Sequence, residues 1–124
     1  MSKRVLIVED ETNIVESLAF LLRRDGFDVS TVPDGARALR EAERTTPDVM
    51  ILDVMLPNQS GFDVLRDLRA HDRLGATPVL MLTAKGQARD RDEAGQLGAD
   101  LFMTKPFSNA EIVAAARRLA GLDG

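Results

Sequence analysis

Five polar side chains stand at the ends of apolar runs along this chain. Glu9 and Asp10 follow Val5-Leu6-Ile7-Val8, Asp53 follows Val49-Met50-Ile51-Leu52, and Thr83 follows Val79-Leu80-Met81-Leu82. Lys105 comes just after the shorter run Leu101-Phe102-Met103. Together they are three carboxylates, one hydroxyl and one ammonium. Carboxylates placed side by side repel and raise one another's pKa unless a cation neutralises them. A hard divalent ion with oxygen ligands is the natural partner, and Mg²⁺ suits a site that keeps waters for a phosphoryl group. A carboxylate held stiffly beside such an ion can attack phosphorus and form an aspartyl phosphate, the metal shielding the charge between them. Asp53, directly after a buried run, is the candidate nucleophile. Lys105 supplies a point charge to a phosphoryl oxygen, and Thr83 can donate a hydrogen bond to another.

The elements that must position these groups follow from hydrophobic spacing. The uninterrupted runs Val5–Val8, Val49–Leu52 and Val79–Leu82 suit strands buried on both faces. Phe27–Val32 reads as a more alternating strand and Leu101–Met103 as a short one. Between them, Ile14, Val15, Leu18, Leu21 and Leu22 recur at helical spacing and stop at Gly26, a helix C-terminal signal. Asp34 can cap a short helix carrying Ala38, Leu39 and Ala42. Pro57 and Gly61 mark a loop, and Ser60 with Asp63 resembles a capping box ahead of Val64, Leu65 and Leu68. Ala84–Ala99 is expected to be a loosely held helix, since Leu97 and small alanines are its only apolar residues. Ser108 and Glu111 form a capping box for a last helix with Ile112, Ala115, Ala116 and Leu119, and Gly121–Gly124 is a short tail. Five strand–helix units with continuous apolar strands imply a parallel sheet covered on both faces. Right-handed crossovers then give a doubly wound α/β domain. In such a sheet ligands bind outside the carboxyl ends of the strands. That edge is where Glu9, Asp10, Asp53, Thr83 and Lys105 fall.

Composition narrows the function further. At 124 residues the expectation is one domain over the whole chain, with no room for a second core. The hydrophobic share is 44% and the charged share 29%, which fits a soluble globular fold. With five Phe and no Trp or Tyr the core must be aliphatic. The formal charge of −4 argues against direct nucleic-acid binding or an anionic membrane surface. Absence of cysteine excludes disulfides, iron–sulfur clusters and thiol catalysis, and a lone His71 excludes a multi-histidine metal site. No apolar run reaches the length of a membrane span or a signal peptide, so the cytoplasm is the expected location.

Each candidate taken alone has an ordinary reading. Glu9–Glu11 could merely complement a helix dipole, Asp53 could be a turn residue, Thr83 a cap and Lys105 a surface lysine. Their joint occurrence at four strand ends favours the phosphoryl site.

These residues also lie in motifs with a family pattern. Val5-Leu6-Ile7-Val8-Glu9-Asp10-Glu11, Ile51-Leu52-Asp53-Val54-Met55-Leu56-Pro57 with Gly61, Met81-Leu82-Thr83-Ala84, Gly98-Ala99-Asp100 and Lys105-Pro106-Phe107 occur in order. Over about Lys3 to Leu119 the chain resembles the receiver domain of bacterial two-component response regulators. The resemblance implies a flavodoxin-like (βα)5 fold with strand order 2-1-3-4-5. It implies Asp53 as phosphoacceptor, taking its phosphoryl group from a histidine kinase or phosphotransfer protein. Mg²⁺ would be bound by Asp10, Asp53 and the backbone carbonyl of Met55, with Glu9 acting largely through water. Lys105 would hold the phosphoryl oxygen, its peptide bond to Pro106 cis. Thr83 would be a switch hydroxyl coupled to an aromatic ring on the last strand, here Phe102, and Ala84 would leave room for the phosphate. Such domains catalyse only their own phosphorylation and dephosphorylation. Met55 and Lys85 stand two residues beyond Asp53 and Thr83, and neither orients an attacking water well, so slow autodephosphorylation is expected.

Output is expected through the face built from the fourth helix, the fifth strand and the fifth helix, toward an effector protein. Arg91, Asp100 and Glu111 are candidates for salt bridges there. Leu101 and Ala115 stand where dimerising relatives commonly carry an acid and a base, which leaves a monomer or a weak phosphorylation-dependent dimer. Among rivals, a small Mg²⁺-dependent phosphatase would need a general acid at the position of Met55. A flavin carrier would need a glycine-rich phosphate loop where Glu9-Asp10-Glu11 stands.

Overall fold

Every apolar run forms a strand. The computed structural model describes residues 2–84 and 88–122. Within them, β1 (Arg4–Val8), β2 (Asp28–Val32), β3 (Val49–Asp53), β4 (Val79–Ala84) and β5 (Leu101–Lys105) make one parallel sheet in the order β2-β1-β3-β4-β5. The helices between them are α1 (Thr12–Arg24), α2 (Ala38–Thr45), α3 (Gly61–Arg69), α4 (Ala88–Leu97) and α5 (Asn109–Leu119). The doubly wound, flavodoxin-like expectation therefore holds, strand order included.

Strand side chains alternate between two cores because successive Cβ atoms point to opposite faces. Val5, Ile7, Val49, Ile51, Leu80 and Leu82 pack under α1 and α5. Leu6, Val8, Met50, Leu52, Val79 and Met81 pack under α2 and α3, with Ala94 of α4. Each fully buried Leu, Ile or Met contributes about 1.5–3 kcal/mol of transfer free energy. That burial holds the central strands stiff. The winding direction reverses between β1 and β3, which are direct neighbours. Their carboxyl ends carry Glu9, Asp10 and Asp53 to one place.

Local signals mostly act as read. Ser108 Oγ accepts from the Glu111 amide at 3.0 Å while Glu111 accepts from the Ser108 amide at 3.3 Å, a complete capping box. Asp34 caps, through Ala36 N at 2.8 Å, a 3-10 turn over Gly35–Arg37 that leads into α2. Gly26 follows α1 at φ +99°, a left-handed position that favours glycine. The Ser60–Asp63 box is only half made. Ser60 Oγ accepts from Asp63 N at 3.2 Å, but the Asp63 carboxylate turns to Arg66 at 2.8 Å instead.

The fourth helix is shorter than its sequence suggests. Ala84 belongs to β4, where it pairs with Lys105, and α4 runs only Ala88–Leu97. It ends because Gly98 turns left-handed at φ +95°. Its side chains enter the core thinly, Ala94 being fully buried and Leu97 partly so. Lys85, Gly86, Asp123 and Gly124 lie outside the described residues.

Arg69, at the end of α3, anchors the far end of α4. Its guanidinium donates to the carbonyls of Gly98 (3.0 and 2.8 Å), Gly75 (3.2 Å) and Thr77 (2.6 Å) and to Asp100 Oδ2 (2.9 Å). Asp100 also accepts from Val79 N at 2.8 Å. Asp100 is thus engaged within the chain, as is Glu111 in its cap. Both acidic candidates for output-face salt bridges have internal partners.

Candidate functional site

The stiff carboxyl ends of β1 and β3 fix the site. Glu9 leaves β1 buried, with Oε2 accepting from the amides of Asp10 and Glu11, both at 3.1 Å. Asp53, the last residue of β3, is only 3% exposed. Asp10 is exposed beside them, and one carboxylate oxygen from each of Glu9, Asp10 and Asp53 lies within 4.8 Å of the others. The chain continues from Asp53 over a loop that α3 closes tightly. A Cβ at Gly61 would collide with the backbone carbonyl oxygen of Asp53, so only glycine lets α3 start this near the site.

Lys105 reaches into this acidic group from the end of β5. Its Nζ is 2.9 Å from Glu9 Oε1, 3.3 Å from Asp53 Oδ1 and 3.3 Å from Glu11 Oε1. Burial works to lower the Lys105 pKa, but the carboxylates of Glu9, Asp53 and Glu11 outweigh it and hold the group above its ordinary value. The opposite happens to Asp53. Burial and then the neighbouring Glu9 charge push it up to about 7, with Lys105 offsetting part of the rise. One ammonium is not enough for these carboxylates.

A further cation fits the arrangement. Glu9 Oε1 is enclosed and, apart from the ion pair with Lys105, receives no well-directed hydrogen bond. All the side-chain donors are carboxylate oxygens, the set that a hard ion such as Mg²⁺ takes. An open cleft of about 720 Å³ lies over them, lined among others by Asp10, Asp53, Met55, Ala84, Lys105 and Pro106. That leaves space for a phosphoryl group and its donor.

The structure therefore brings Glu9, Asp10, Asp53 and Lys105 together as expected. Met55 sits on the rim and is 72% exposed. The Lys105–Pro106 bond is cis. Thr83 is buried on the neighbouring strand, one residue beyond the partner of Asp53 in the ladder. Its hydroxyl does not reach the carboxylates; it donates to Asp90 Oδ2 of α4 at 2.7 Å. Phe102 packs partly buried against the second core, with the Arg91 guanidinium 5.5 Å from its ring centroid. Sequence reading missed Asp90, whose only signal is an acidic residue in the first turn of a weak helix.

Comparison with known proteins agrees with this geometry. The model of the family "Response regulator receiver domain" matches residues 5–117. The sensory transduction protein RegX3 of Mycolicibacterium smegmatis is 47% identical over 113 residues, which are 91% of this chain and 48% of RegX3. The chain thus spans about half the length of the curated relatives it matches. A putative response regulator from Chloroflexus aurantiacus superposes with a TM-score of 0.93 at 30% identity, covering 98% of this chain and 99% of that one. The receiver domain of the sensor histidine kinase PA1611 from Pseudomonas aeruginosa, solved with a magnesium ion coordinated in its active site cleft, gives a TM-score of 0.89 at 32% identity, covering 98% of this chain and 99% of that one. The phosphatase reading finds no support among these relatives. A carboxylate edge at the winding switch, on this fold and with these relatives, leaves one conclusion: the chain belongs to the response regulator receiver domains of two-component signalling.

Proposed function

We propose that residues 1–124 act as one receiver unit that accepts a phosphoryl group on Asp53 from a histidine kinase or phosphotransfer protein. The observation that carries this is the Asp53 carboxylate, buried at a strand end, facing an ammonium and open to the cleft. A phosphohistidine enters along the cleft. An Asp53 carboxylate oxygen attacks phosphorus, the P–N bond breaks, and its electron pair stays on the imidazole nitrogen of the donor. The rigid strand holds the nucleophile in place, so little ordering remains at the moment of reaction. Lys105 leaves its contacts with Glu9 and Glu11 and follows the negative charge onto a phosphoryl oxygen. Glu9, Asp10 and Asp53, with the backbone carbonyl of Met55, would hold Mg²⁺. The bound ion offsets charge between carboxylate and phosphoryl group.

Thr83 and Phe102 then form the switch that alters the surface of α4, β5 and α5 for an effector protein. The cytoplasm is the proposed site of action. Among the described residues no helix is long and apolar enough to cross a membrane. Incubation with acetyl phosphate and Mg²⁺ tests the reading by intact mass: wild type gains one phosphoryl group and Asp53→Asn gains none. Equal gain by both proteins overturns it.

A further inference from the structure

Thr83 is 1% exposed, and its hydroxyl is committed to Asp90 at 2.7 Å. A hydroxyl has one proton to donate. It cannot serve Asp90 and a phosphoryl oxygen on Asp53 at once. Asp90 lies in the first turn of α4, and the next residue, Arg91, stacks its guanidinium over Phe102. Thr83 and Phe102 lie on the same face of the sheet, since Thr83 pairs with Thr104 and Met81 with Phe102. Two successive residues of one helix thus hold both the buried hydroxyl and the nearby ring. Among the described residues of α4, the fully buried side chain is Ala94. Its other end is fixed separately by Arg69.

From this we infer that Asp90 is a positioning residue for Thr83: it holds the hydroxyl toward α4 in the unmodified chain, in competition with the phosphoryl group, an inference that rests on Asp53 being the phosphoacceptor. Phosphorylation must break the Thr83–Asp90 bond. Breaking it frees the first turn of α4 and with it the Arg91 contact on Phe102. Asp90 therefore sets how far the unmodified form is favoured.

Beryllium fluoride with Mg²⁺, a phosphoryl mimic, provides the test, with binding followed by ¹⁹F NMR on folded proteins checked by far-UV circular dichroism. Wild type binds and Asp53→Asn does not. Asp90→Ala binds about fivefold to tenfold tighter than wild type, the size of one lost competing hydrogen bond. Asp90→Asn, which keeps a weaker neutral acceptor, falls between them and serves alone if the alanine variant does not fold. In a Thr83→Ala background, Asp90→Ala and Asp90→Asn change nothing, a result that a merely structural role for Asp90 would not produce. Unchanged or weaker binding by the Asp90 variants, with wild type binding normally, overturns the inference alone. A gain that persists without the Thr83 hydroxyl also overturns it. Failure of wild type to bind, or equal binding by Asp53→Asn, overturns the phosphoacceptor reading and the inference with it.

Discussion

The Lys105 ammonium stands between Glu9 and Asp53, 2.9 Å from Oε1 of the first and 3.3 Å from Oδ1 of the second. It is a cation already in the seat beside Asp53, the proposed nucleophile, and it only partly neutralises the two buried carboxylates. The site is consequently held in an electrostatically uncomfortable state that a metal ion relieves.

Asp53 makes that discomfort measurable. Its pKa rises from 3.8 to about 7 on folding, so between those values the folded state binds more protons than the unfolded state. Stability must then fall as pH rises through that window. Without metal, wild type should melt lower at pH 8 than at pH 5 on account of this group. Asp53→Asn should lose that part of the slope and be more stable at pH 8 by about 1 kcal/mol or more, because a poorly compensated buried charge is gone. Far-UV circular dichroism melts check it, since the chain has no Trp or Tyr to follow by fluorescence. Added Mg²⁺ should raise the wild-type midpoint and leave Asp53→Asn nearly unmoved.

Removing the resident cation should do the reverse. Lys105→Ala leaves Glu9 and Asp53 facing each other, and should destabilise the metal-free protein by about 2 kcal/mol or more at neutral pH. The same variant should bind Mg²⁺ more tightly than wild type, because the ion meets less competing positive charge. Isothermal titration with MgCl₂ measures this. Weaker Mg²⁺ binding by Lys105→Ala would show that the ammonium does not oppose the metal.

Much of this site was legible in the sequence, because it hangs on the stiffest part of the fold. Continuous apolar runs mark the central strands, and a polar residue directly after such a run can only fall on the ligand-binding edge. Thr83 shows where that logic stops. Its place at a strand end was readable, but its partner Asp90 lies on a helix whose apolar pattern is too weak to set a register. Asp100 was equally opaque: its pairing with Arg69 crosses from α3 to the loop before β5 and leaves no periodic trace.

Arg69 should prove structurally expensive to lose. Its fork ties Thr77, Gly98 and Asp100 to α3. Arg69→Ala takes this donor from the carbonyls of Gly75, Thr77 and Gly98 and leaves the Asp100 carboxylate with only the Val79 amide, and should cost about 2–3 kcal/mol. Urea unfolding measures that. Amide exchange should speed up most at the end of α4 and the start of β5, and a uniform change across the protein would contradict the anchoring role.

Phosphate lifetime should reflect the rim. Met55 projects an exposed thioether where a polar group could orient an attacking water. Autodephosphorylation should be slow, over many minutes to hours, and Met55→Asn should accelerate it by about tenfold by placing an amide at the cleft mouth. Loss of acyl phosphate over time, followed by intact mass after removal of the donor, gives both rates. A wild-type lifetime of seconds would contradict the expectation.

The central claim is that Asp53 carries the phosphoryl group. Reduction with sodium borohydride converts an aspartyl phosphate to homoserine, which peptide mass spectrometry locates by residue. After treatment with acetyl phosphate and Mg²⁺, homoserine should appear at position 53 and vanish when Mg²⁺ is replaced by a chelator. The reduction product at another acid in place of Asp53 (homoserine at an aspartate such as Asp10, 5-hydroxynorvaline at a glutamate such as Glu9), or none at all from a protein that has gained phosphate, would contradict the account.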